Sequence, residues 1–322
     1  MFKRIIGFAI LILYILVIAV ALTEGPLISL QSIILGIIGL ITIIIILSEI
    51  AVIMNLVDTP DGVRKRHKGS VPLVGGFVLF ISFIYGSFVF GVDIFYLYLI
   101  FSLIPILIIG TIDGIKGMTV PISVRIVSQI LASWILILTT DVYVSDLGDL
   151  FGTGVIELNK FGIPFTIFGV VGLCNAFNML DGKDGLAGSV AITIFTGLFL
   201  ILYLDGLMYN WGGILILSLL IYLGFNLGLF GNKRKIFLGD HGSTSLGHII
   251  AWSFVHLSQE VEIITPVSAL YICAVPLLDA LLTFTRRIRS SSSVFKGDRR
   301  HFHHLLSNLG LSDLKVLIII SF

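Results

Sequence analysis

The chain has 322 residues, of which 57% are hydrophobic and only 12% are charged, and its formal net charge is +1. Its mean hydropathy is +1.10, whereas soluble globular domains carry about 25% charged residues. The composition therefore excludes a soluble globular protein and indicates an integral membrane protein, for which no nucleic-acid partner is expected.

Apolar segments, several of them about 20 residues long as a membrane-spanning helix requires, recur along the whole chain. The predicted spans are 5–22, 29–54, 71–90, 94–112, 121–140, 161–180, 186–204, 211–230, 244–258 and 264–284. An eleventh segment begins near residue 314 and is too short to cross. We predict an all-α polytopic membrane protein of about ten transmembrane helices with a partial eleventh, folded as a single domain over 1–322.

The distribution of Lys and Arg predicts the orientation of these spans. If the N-terminus lies inside and the spans alternate, every Lys and Arg of the chain except Lys160 falls on the inner side. The first span has an alternative interpretation as a signal peptide cleaved after Ala19-Val20-Ala21. Such cleavage would leave the sidedness of all later segments unchanged.

The first inner polar cluster is "DTPDGVRKRHKGSVPLVGG" (58–76), in which Pro and Gly predict an irregular backbone. Arg64, Lys65 and His67 belong to its basic group. A basic group at this position is explained either by anchoring to the inner surface or by a site for phosphate or anionic lipid. The Gly and Pro residues around it favour the binding site, because anchoring requires no particular backbone.

The next two inner clusters carry carboxylates. Asp113 ends a span in "GTIDGIKGMTVPISVR" (110–125), where a single acid is commonly just interfacial. In "NAFNMLDGKDGLAG" (175–188), two amides and two carboxylates recur every third residue, at Asn175, Asn178, Asp181 and Asp184. Residues three apart on a helix are neighbours, and this set suits Mg²⁺ or a polar ligand. The alternative is a polar helix end that meets water.

The fourth cluster, "GNKRKIFLGDHGSTSLG" (231–247), joins basic residues to a glycine-rich stretch. Such a backbone beside a helix N-terminus can bind phosphate, Asp240 is a candidate metal ligand, and Ser243 is expected to cap the following helix. The alternative is a simple hairpin between spans.

The fifth cluster, "KGDRRHFHHLL" (296–306), contains three of the seven histidines. His301, His303 and His304 follow Arg299 and Arg300, and this combination favours donors to a phosphate. A solvated or metal-sequestering histidine cluster is the alternative, although a structural zinc site is disfavoured because no cysteine accompanies them.

All five clusters lie on the predicted inner face. Acidic metal ligands, basic phosphate binders and histidines at a membrane surface together favour Mg²⁺-assisted phosphoryl transfer with one lipid substrate.

The motifs "VDTPDGVRKRHKGSVPLVGG", "NAFNMLDGKDGLAG", "FLGDHGS" and "DRRHFHHLL" occur in this order. In these motifs the chain resembles the polyprenyl-phosphate N-acetylhexosamine-1-phosphate transferases from about residue 45 to 322, while 1–28 is an additional N-terminal span. The resemblance implies a multi-pass protein of the bacterial cytoplasmic (inner) membrane with its active site facing the cytoplasm. It implies transfer of N-acetylglucosamine 1-phosphate from UDP-N-acetylglucosamine to undecaprenyl phosphate, with release of UMP, which starts O-antigen or a similar glycan.

The resemblance also implies roles for particular residues and Mg²⁺, or Mn²⁺, as the cofactor. A catalytic role is implied for Asp113, Asp181, Asp184, His301, His303 and His304. Substrate binding is implied for Arg64, Lys65, His67, Asn175, Phe237, Arg299 and Arg300, with Phe237 stacking on uracil. Metal binding is implied for Asp240 and Asn178. The family commonly has a second Asp where this chain has Gly114.

Three alternatives remain open from the sequence. The donor is another UDP-N-acetylhexosamine, or the chain is an inactive homologue, as Gly114 and the short C-terminal segment suggest. A transporter or flippase would instead place ionisable groups near mid-membrane. Asp279 is the main candidate for such a group, and we expect it to pair locally.

Overall fold

The computed structural model describes residues 30–60, 69–90, 94–207, 210–290 and 301–321, and helices dominate them. The helices are α1 (Leu30–Ile53), α2 (Gly75–Phe90), α3 (Ile94–Ser102), α4 (Ile104–Gly114), α5 (Ile122–Thr140), α6 (Gly162–Leu180), α7 (Leu186–Leu204), α8 (Asn210–Asn226), α9 (Gly239–Gln259), α10 (Pro266–Ile272), α11 (Ala274–Arg289), α12 (Phe302–Asn308) and α13 (Asp313–Ser321). Two 3₁₀ turns, Asn159–Phe161 and Asn232–Arg234, precede α6 and α9.

Within the described part of the chain, five helical segments are long and apolar enough to cross a membrane, and a sixth qualifies if α10 and α11 count as one span. The chain is therefore a helical, multi-pass membrane protein, as expected. The apolar parts of α2 and α8 are shorter than a full crossing. The total of ten spans stays a prediction.

Two predicted spans contain a break. The segment 94–112 is interrupted at Leu103, and Pro105 lies in the first turn of the next helix, where its ring is well accommodated. The segment 264–284 bends by 77° between α10 and α11. Pro276 explains this second break, because it has no N–H to donate to the carbonyl of Ile272.

Helix α9 lies at the centre and packs against α6, α4 and α2. Most of its side chains are buried, including polar ones such as His248 and Ser253. An α-helix with these residues suits a protein interior better than lipid. This explains why α9 does not satisfy the apolar criterion for a span that five other segments meet.

Glycines bring α9 into backbone contact with its neighbours. A Cβ on Gly242 would lie 2.8 Å from the backbone nitrogen of Gly76 in α2, and one on Gly247 would lie 2.6 Å from the Cα of Cys174 in α6. Small residues at helix interfaces permit such close approach in membranes. Cys174 and Cys273 are both buried.

A short strand pair replaces part of the irregular backbone expected for 58–76. β1 (Val57–Asp58) pairs antiparallel with β2 (Val71–Pro72). The carbonyl of Pro72 also accepts a 2.9 Å hydrogen bond from the N–H of Phe237. The segment before α2 is thereby attached to the segment before α9.

Candidate active site

The candidate site forms where α4 and α6 end and α5 and α9 begin. Arg125, in the first turn of α5, donates from Nη1 to Asp113 Oδ2 at 3.1 Å and to Asp240 Oδ2 at 2.9 Å. Asp113 Oδ1 accepts a further bond from the backbone N–H of Val120 at 2.7 Å. The Asp113 side chain is 17% exposed and that of Asp240 is 47% exposed. Asp240 is therefore the more accessible of the two carboxylates to a ligand.

The backbone before α9 is positioned by hydrogen bonds to both the N–H and the carbonyl of Phe237. The carbonyl of Phe237 accepts from the N–H groups of Val74 and Gly75 at 3.2 and 3.0 Å. Gly239 then adopts φ +71°, which favours glycine, and α9 begins there. The half-buried ring of Phe237 and the carboxylate of Asp240 consequently lie on either side of one tight turn.

The expectation that Ser243 caps α9 is wrong. The helix begins four residues earlier, at Gly239, because the backbone there is already supported by the strand pair. The Ser243 hydroxyl instead donates to the carbonyl of Gly239 at 3.2 Å and accepts from the Asn178 amide at 3.1 Å. Asn178 thus lies against the first turn of α9, beside Asp240.

Asn175 and Asn178 share one side of the last turns of α6. Asn175 donates to Gln129 Oε1 of α5 at 2.8 Å and to the carbonyl of Val171 at 2.7 Å. The predicted stripe does not continue as helix, since α6 ends at Leu180 and Asp181 is its C-cap. Asp181 and Asp184 therefore belong to a turn, which we call the acidic loop (residues 181–185).

The acidic loop is held by residues from two other segments, the end of α8 and the segment before α9. Gly185 has φ +78°, and its N–H donates to the Asn226 side chain at 2.6 Å. Asn226 also donates to the carbonyl of Ile236 at 2.9 Å, which connects the acidic loop to the segment before α9. Asp184 pairs with Lys235, whose ammonium lies 5.4 Å from the centre of the Phe237 ring.

Burial and like charge act together on Asp181. Desolvation, followed by the negative charges of Asp240 and Asp184, raises the pKa of the Asp181 carboxyl well above its usual range. The carboxylates that were predicted from distant motifs are therefore close enough in space to repel one another. Such a cluster is stabilised by a cation, which suits either a metal ion or a basic ligand group.

The histidine motif contacts the acidic loop through His303. This side chain is 1% exposed, and a Cβ on Gly182 would lie 2.8 Å from its Nε2. Burial, and then the charges of His304 and His301, lower the pKa of His303 to about 3, so its ring is neutral at pH 7. His304 is its neighbour, with ring centres 4.2 Å apart. His301 instead pairs with Asp279 of α11 at 3.0 Å.

Asp279 was expected to pair locally, and it does so with His301, although this partner lies 22 residues ahead in the chain.

Five residues of the predicted site lie outside the described residues. They are Arg64, Lys65, His67, Arg299 and Arg300.

Among the residues whose positions are described, no three His, Cys, Asp or Glu side chains converge on one point as a metal cage. Mg²⁺ commonly binds through one or two carboxylates and completes its shell with water and substrate phosphates. Asp240, with its accessible carboxylate, and Asn178 beside it fit this kind of open site. Their oxygen atoms, together with the electrostatic repulsion at Asp181, are compatible with a hard divalent cation.

A cavity of about 800 Å³ leads away from these residues. Its lining extends from Asp240 to Ser258, nearly the whole of α9, which corresponds to about 27 Å of helix. Its polar lining is concentrated at the Asp240 end, and includes Arg125, Gln129, Asn175 and Asn178. The remainder is mostly apolar, with α4, α6 and α11 contributing. One polar head and one long apolar chain would both find complementary surface here.

Sequence reasoning missed three contributors to this site. Arg125 was counted only as an inner basic residue, although it bridges two predicted acids. Lys235 and Asn226 hold the acidic loop to the segment before α9. Each of these three residues lies in or near a predicted motif, and its basic or amide side chain could have marked it as a candidate. Its partner could not be identified without the fold.

Known proteins are similar in sequence to this chain over most of its length. The family model described as glycosyl transferase family 4 matches residues 96–258. The undecaprenyl-phosphate alpha-N-acetylglucosaminyl 1-phosphate transferase of Haemophilus influenzae is 36% identical over 301 residues, which cover 90% of this chain and 82% of the relative. The enzymes of the same name from Escherichia coli O157:H7 and Yersinia pestis are 34% and 33% identical over 85% of this chain, with 75% of each relative covered.

The matched region contains the acidic loop, α9 as far as Ser258, and most of the residues that line the cavity. The resemblance inferred from the four motifs is thereby confirmed. The chain belongs to glycosyl transferase family 4, the family of the polyprenyl-phosphate N-acetylhexosamine-1-phosphate transferases.

Proposed function

We propose that this protein transfers N-acetylglucosamine 1-phosphate from UDP-N-acetylglucosamine to undecaprenyl phosphate and releases UMP. A phosphate oxygen of the lipid attacks the β-phosphorus of the nucleotide sugar. The bond from that phosphorus to the oxygen shared with the α-phosphate breaks, and UMP leaves with this oxygen. The product is a lipid-linked diphosphate sugar, which would start O-antigen or a similar envelope glycan.

The observation that carries this proposal is the cavity along α9. Its apolar walls suit a polyprenyl chain, and its polar end contains Arg125, Asn178 and Asp240. A lipid bound here with its phosphate at that end would lie beside the acidic loop. The relatives that share the sequence are named for undecaprenyl phosphate and for the same sugar phosphate.

Within this proposal the protein's main work is positioning and charge stabilisation, as in other phosphoryl transfers. Asp240 and Asn178 would hold Mg²⁺, or Mn²⁺, which neutralises diphosphate charge when bound. Arg125 lies between Asp113 and Asp240, where its guanidinium can contact the acceptor phosphate. Little base strength is required, because the second pKa of a phosphate monoester is near about 6.

The nucleotide would bind on the other side of the acidic loop. Phe237 offers a half-buried aromatic face for uracil, and Lys235 above it neutralises Asp184. His303 contacts the same loop through Gly182. We therefore place the diphosphate between the histidine motif and Asp240. Further hydrogen bonds to its phosphates would come from Arg64, Lys65, His67, Arg299 and Arg300.

The proposed site lies in the bacterial inner membrane and faces the cytoplasm. The distribution of Lys and Arg supports a site that faces the cytoplasm, and the family supports the bacterial inner membrane. If ten spans alternate with the N-terminus inside, the ends of α4 and α6 and the starts of α5 and α9 would all lie on the cytoplasmic side.

The test is an assay of the purified protein in lipid nanodiscs with undecaprenyl phosphate, Mg²⁺ and UDP-N-acetylglucosamine. We expect UMP release that requires the lipid phosphate and is abolished by EDTA. Asp205→Asn, which changes an exposed carboxylate that follows α7, is a matched control and should release UMP normally.

Absence of UMP release with this donor would reject the proposal as stated. Release with UDP-N-acetylgalactosamine alone would then show a different donor, and release with neither would show an inactive homologue.

A further inference from the structure

Helix α11 carries a buried polar stripe on an otherwise apolar helix. Asp279, Thr283 and Arg287 are spaced by four residues, and their exposed fractions are 8%, 1% and 6%. Leu278 and Leu282 on the other side are 55% and 66% exposed. Residues four apart lie on one face of a helix, so the stripe is directed into the protein. A buried carboxylate in such a helix needs specific partners and commonly has a function.

Two consecutive residues of the histidine motif form hydrogen bonds with the two carboxylate oxygens of Asp279. Oδ2 lies 3.0 Å from Nδ1 of His301, and Oδ1 accepts the backbone N–H of Phe302 at 2.8 Å. The hydroxyl of Thr283 lies 3.5 Å from the same ring nitrogen. An ionised carboxylate only accepts hydrogen bonds, so Nδ1 of His301 must carry a hydrogen. The carboxylate therefore holds both the ring and the backbone of His301 in one orientation.

This orientation determines what the second ring nitrogen can do. Because Nδ1 donates to Asp279, Nε2 is directed away from α11. The ring lies parallel to that of His303, with 5.8 Å between ring centres and 5° between planes. His303 in turn packs against Gly182 of the acidic loop. The His301 ring is thus held beside the loop at which the nucleotide diphosphate is proposed to bind.

We propose that Asp279 is a positioning residue, which holds the ring of His301 so that Nε2 faces the diphosphate of the nucleotide sugar. The identity of that ligand rests on the proposed function. The carboxylate touches no substrate itself and acts through His301. With Nδ1–H donated to the Asp279 carboxylate, the imidazolium form of His301 is stabilised when the anionic diphosphate is bound. Its Nε2–H would then donate to the negative charge that develops on the departing UMP, so the effect belongs mainly to kcat.

A second carboxylate–histidine pair in the same protein provides a matched control. His256 Nδ1 lies 2.9 Å from Glu260 Oε2, at the opposite end of α9 from the proposed site. The pair has the same chemistry, but neither His256 nor Glu260 lines the cavity or contacts the acidic loop.

The activity test is a double-mutant cycle on Asp279→Asn and His301→Asn, with Glu260→Gln as the control. Asn at 279 keeps the shape and the bond to Phe302, but its amide donates to Nδ1 and selects the opposite ring tautomer. We expect each single variant to lower kcat about 10²-fold with KM changed less than about threefold. The double variant should be within about threefold of His301→Asn alone, and Glu260→Gln within about twofold of wild type.

Losses that multiply in the double variant would overturn the proposal, because the two residues would then act independently. An Asp279→Asn variant as active as Glu260→Gln would overturn it as well.

A second measurement needs no substrate, and its wild-type part needs no variant at position 279. Histidine-selective ¹⁵N spectra of the wild-type protein in nanodiscs report which ring nitrogen of His301 carries hydrogen, with its signals assigned by their loss in His301→Asn. We expect hydrogen on Nδ1 and its transfer to Nε2 in Asp279→Asn. A bare Nδ1 in wild type would contradict the proposed role of Asp279. Wild type that shows hydrogen on Nδ1 yet releases no UMP would reject the proposed function and retain the Asp279–His301 pairing.

Discussion

The carboxylates at the two ends of α9 have very different surroundings. At its C-terminal end, Glu260 has one partner, His256, whose ring also stacks on Phe95 with 4.0 Å between centres. At its N-terminal end, Asp240 shares one arginine with a second acid and raises the pKa of a third, Asp181. The first arrangement is one local hydrogen-bonded pair that contributes to packing. The second leaves negative charge for a ligand to neutralise, which is typical of functional sites.

The largest expected difference between the two ends concerns activity. Asp240→Asn should lower kcat/KM for UMP release by about 10³-fold, because it removes a carboxylate proposed to hold the metal. Glu260→Gln should remain within about twofold of wild type. Both variants are measured in nanodiscs at saturating Mg²⁺. Comparable losses in the two variants would show that the site does not lie at the N-terminal end of α9.

The packing along α9 should be sensitive to a single methyl group. Gly247→Ala places a Cβ 2.6 Å from the backbone of α6 and should lower the free energy of unfolding by about 2 to 4 kcal/mol. Gly172→Ala on α6 is the matched control, since no atom lies within 4 Å of its Cβ. Thermal unfolding in detergent measures both, and equal melting temperatures would mean that α9 and α6 are not in backbone contact.

Arg125 should matter more than other basic residues on the inner face. Arg125→Gln removes the cation that joins Asp113 to Asp240, and we expect kcat/KM to fall about 10²-fold. Lys116→Gln changes an exposed cation of the same inner segment and should change kcat/KM less than about threefold. Equal small effects would indicate that the Arg125 bridge is structural only.

The neutral ring of His303 should make the protein sensitive to acid. Its pKa is about 3 when folded and about 6.5 when unfolded, so the unfolded chain takes up a proton first as the pH falls. Stability is therefore lost below about pH 6.5, by up to about 2 kcal/mol at pH 5. The melting temperature of wild type should fall more steeply between pH 7 and 5 than that of His303→Asn. Parallel slopes would argue against a buried, neutral His303.

The smallest expected effect is a gain in stability. Because burial and neighbouring charges raise the pKa of Asp181, its ionised form destabilises the fold at pH 7. Asp181→Asn should raise the melting temperature in EDTA by a few degrees, corresponding to about 1 kcal/mol, while UMP release is lost. Asp205→Asn should leave both unchanged. A lower melting temperature in Asp181→Asn would contradict the repulsion inferred here.

The sequence was sufficient to predict the helical class and most helix positions, because apolar segments of membrane length leave few alternatives. It did not predict the break at Cys273 or the polar interior position of α9. Both depend on what surrounds a helix rather than on its own composition. The segment 244–258 of α9 was predicted as a span like the others, although its histidines and serines lower its hydropathy.

The site was predictable as a set of residue types but not as a set of contacts. Asp113, Asp181 and Asp240 stood out because acids near apolar segments are costly. Arg125, which pairs with both Asp113 and Asp240, lies 115 residues from Asp240 along the chain, and Asp279 lies 22 residues from His301. Such pairings follow from how α5, α9, α11 and α12 pack, and no local pattern encodes them.

The central claim is that a sugar phosphate, rather than a sugar alone, moves to a lipid bound along α9. UDP-N-acetylglucosamine labelled with ¹⁴C in the sugar and ³²P in the β-phosphate tests it directly, with undecaprenyl phosphate and Mg²⁺ in nanodiscs. We predict that both labels enter the organic phase in a 1:1 ratio and that Asp240→Asn abolishes both. Sugar label without phosphate label in the lipid, or neither label under conditions where the protein is folded, would contradict the account.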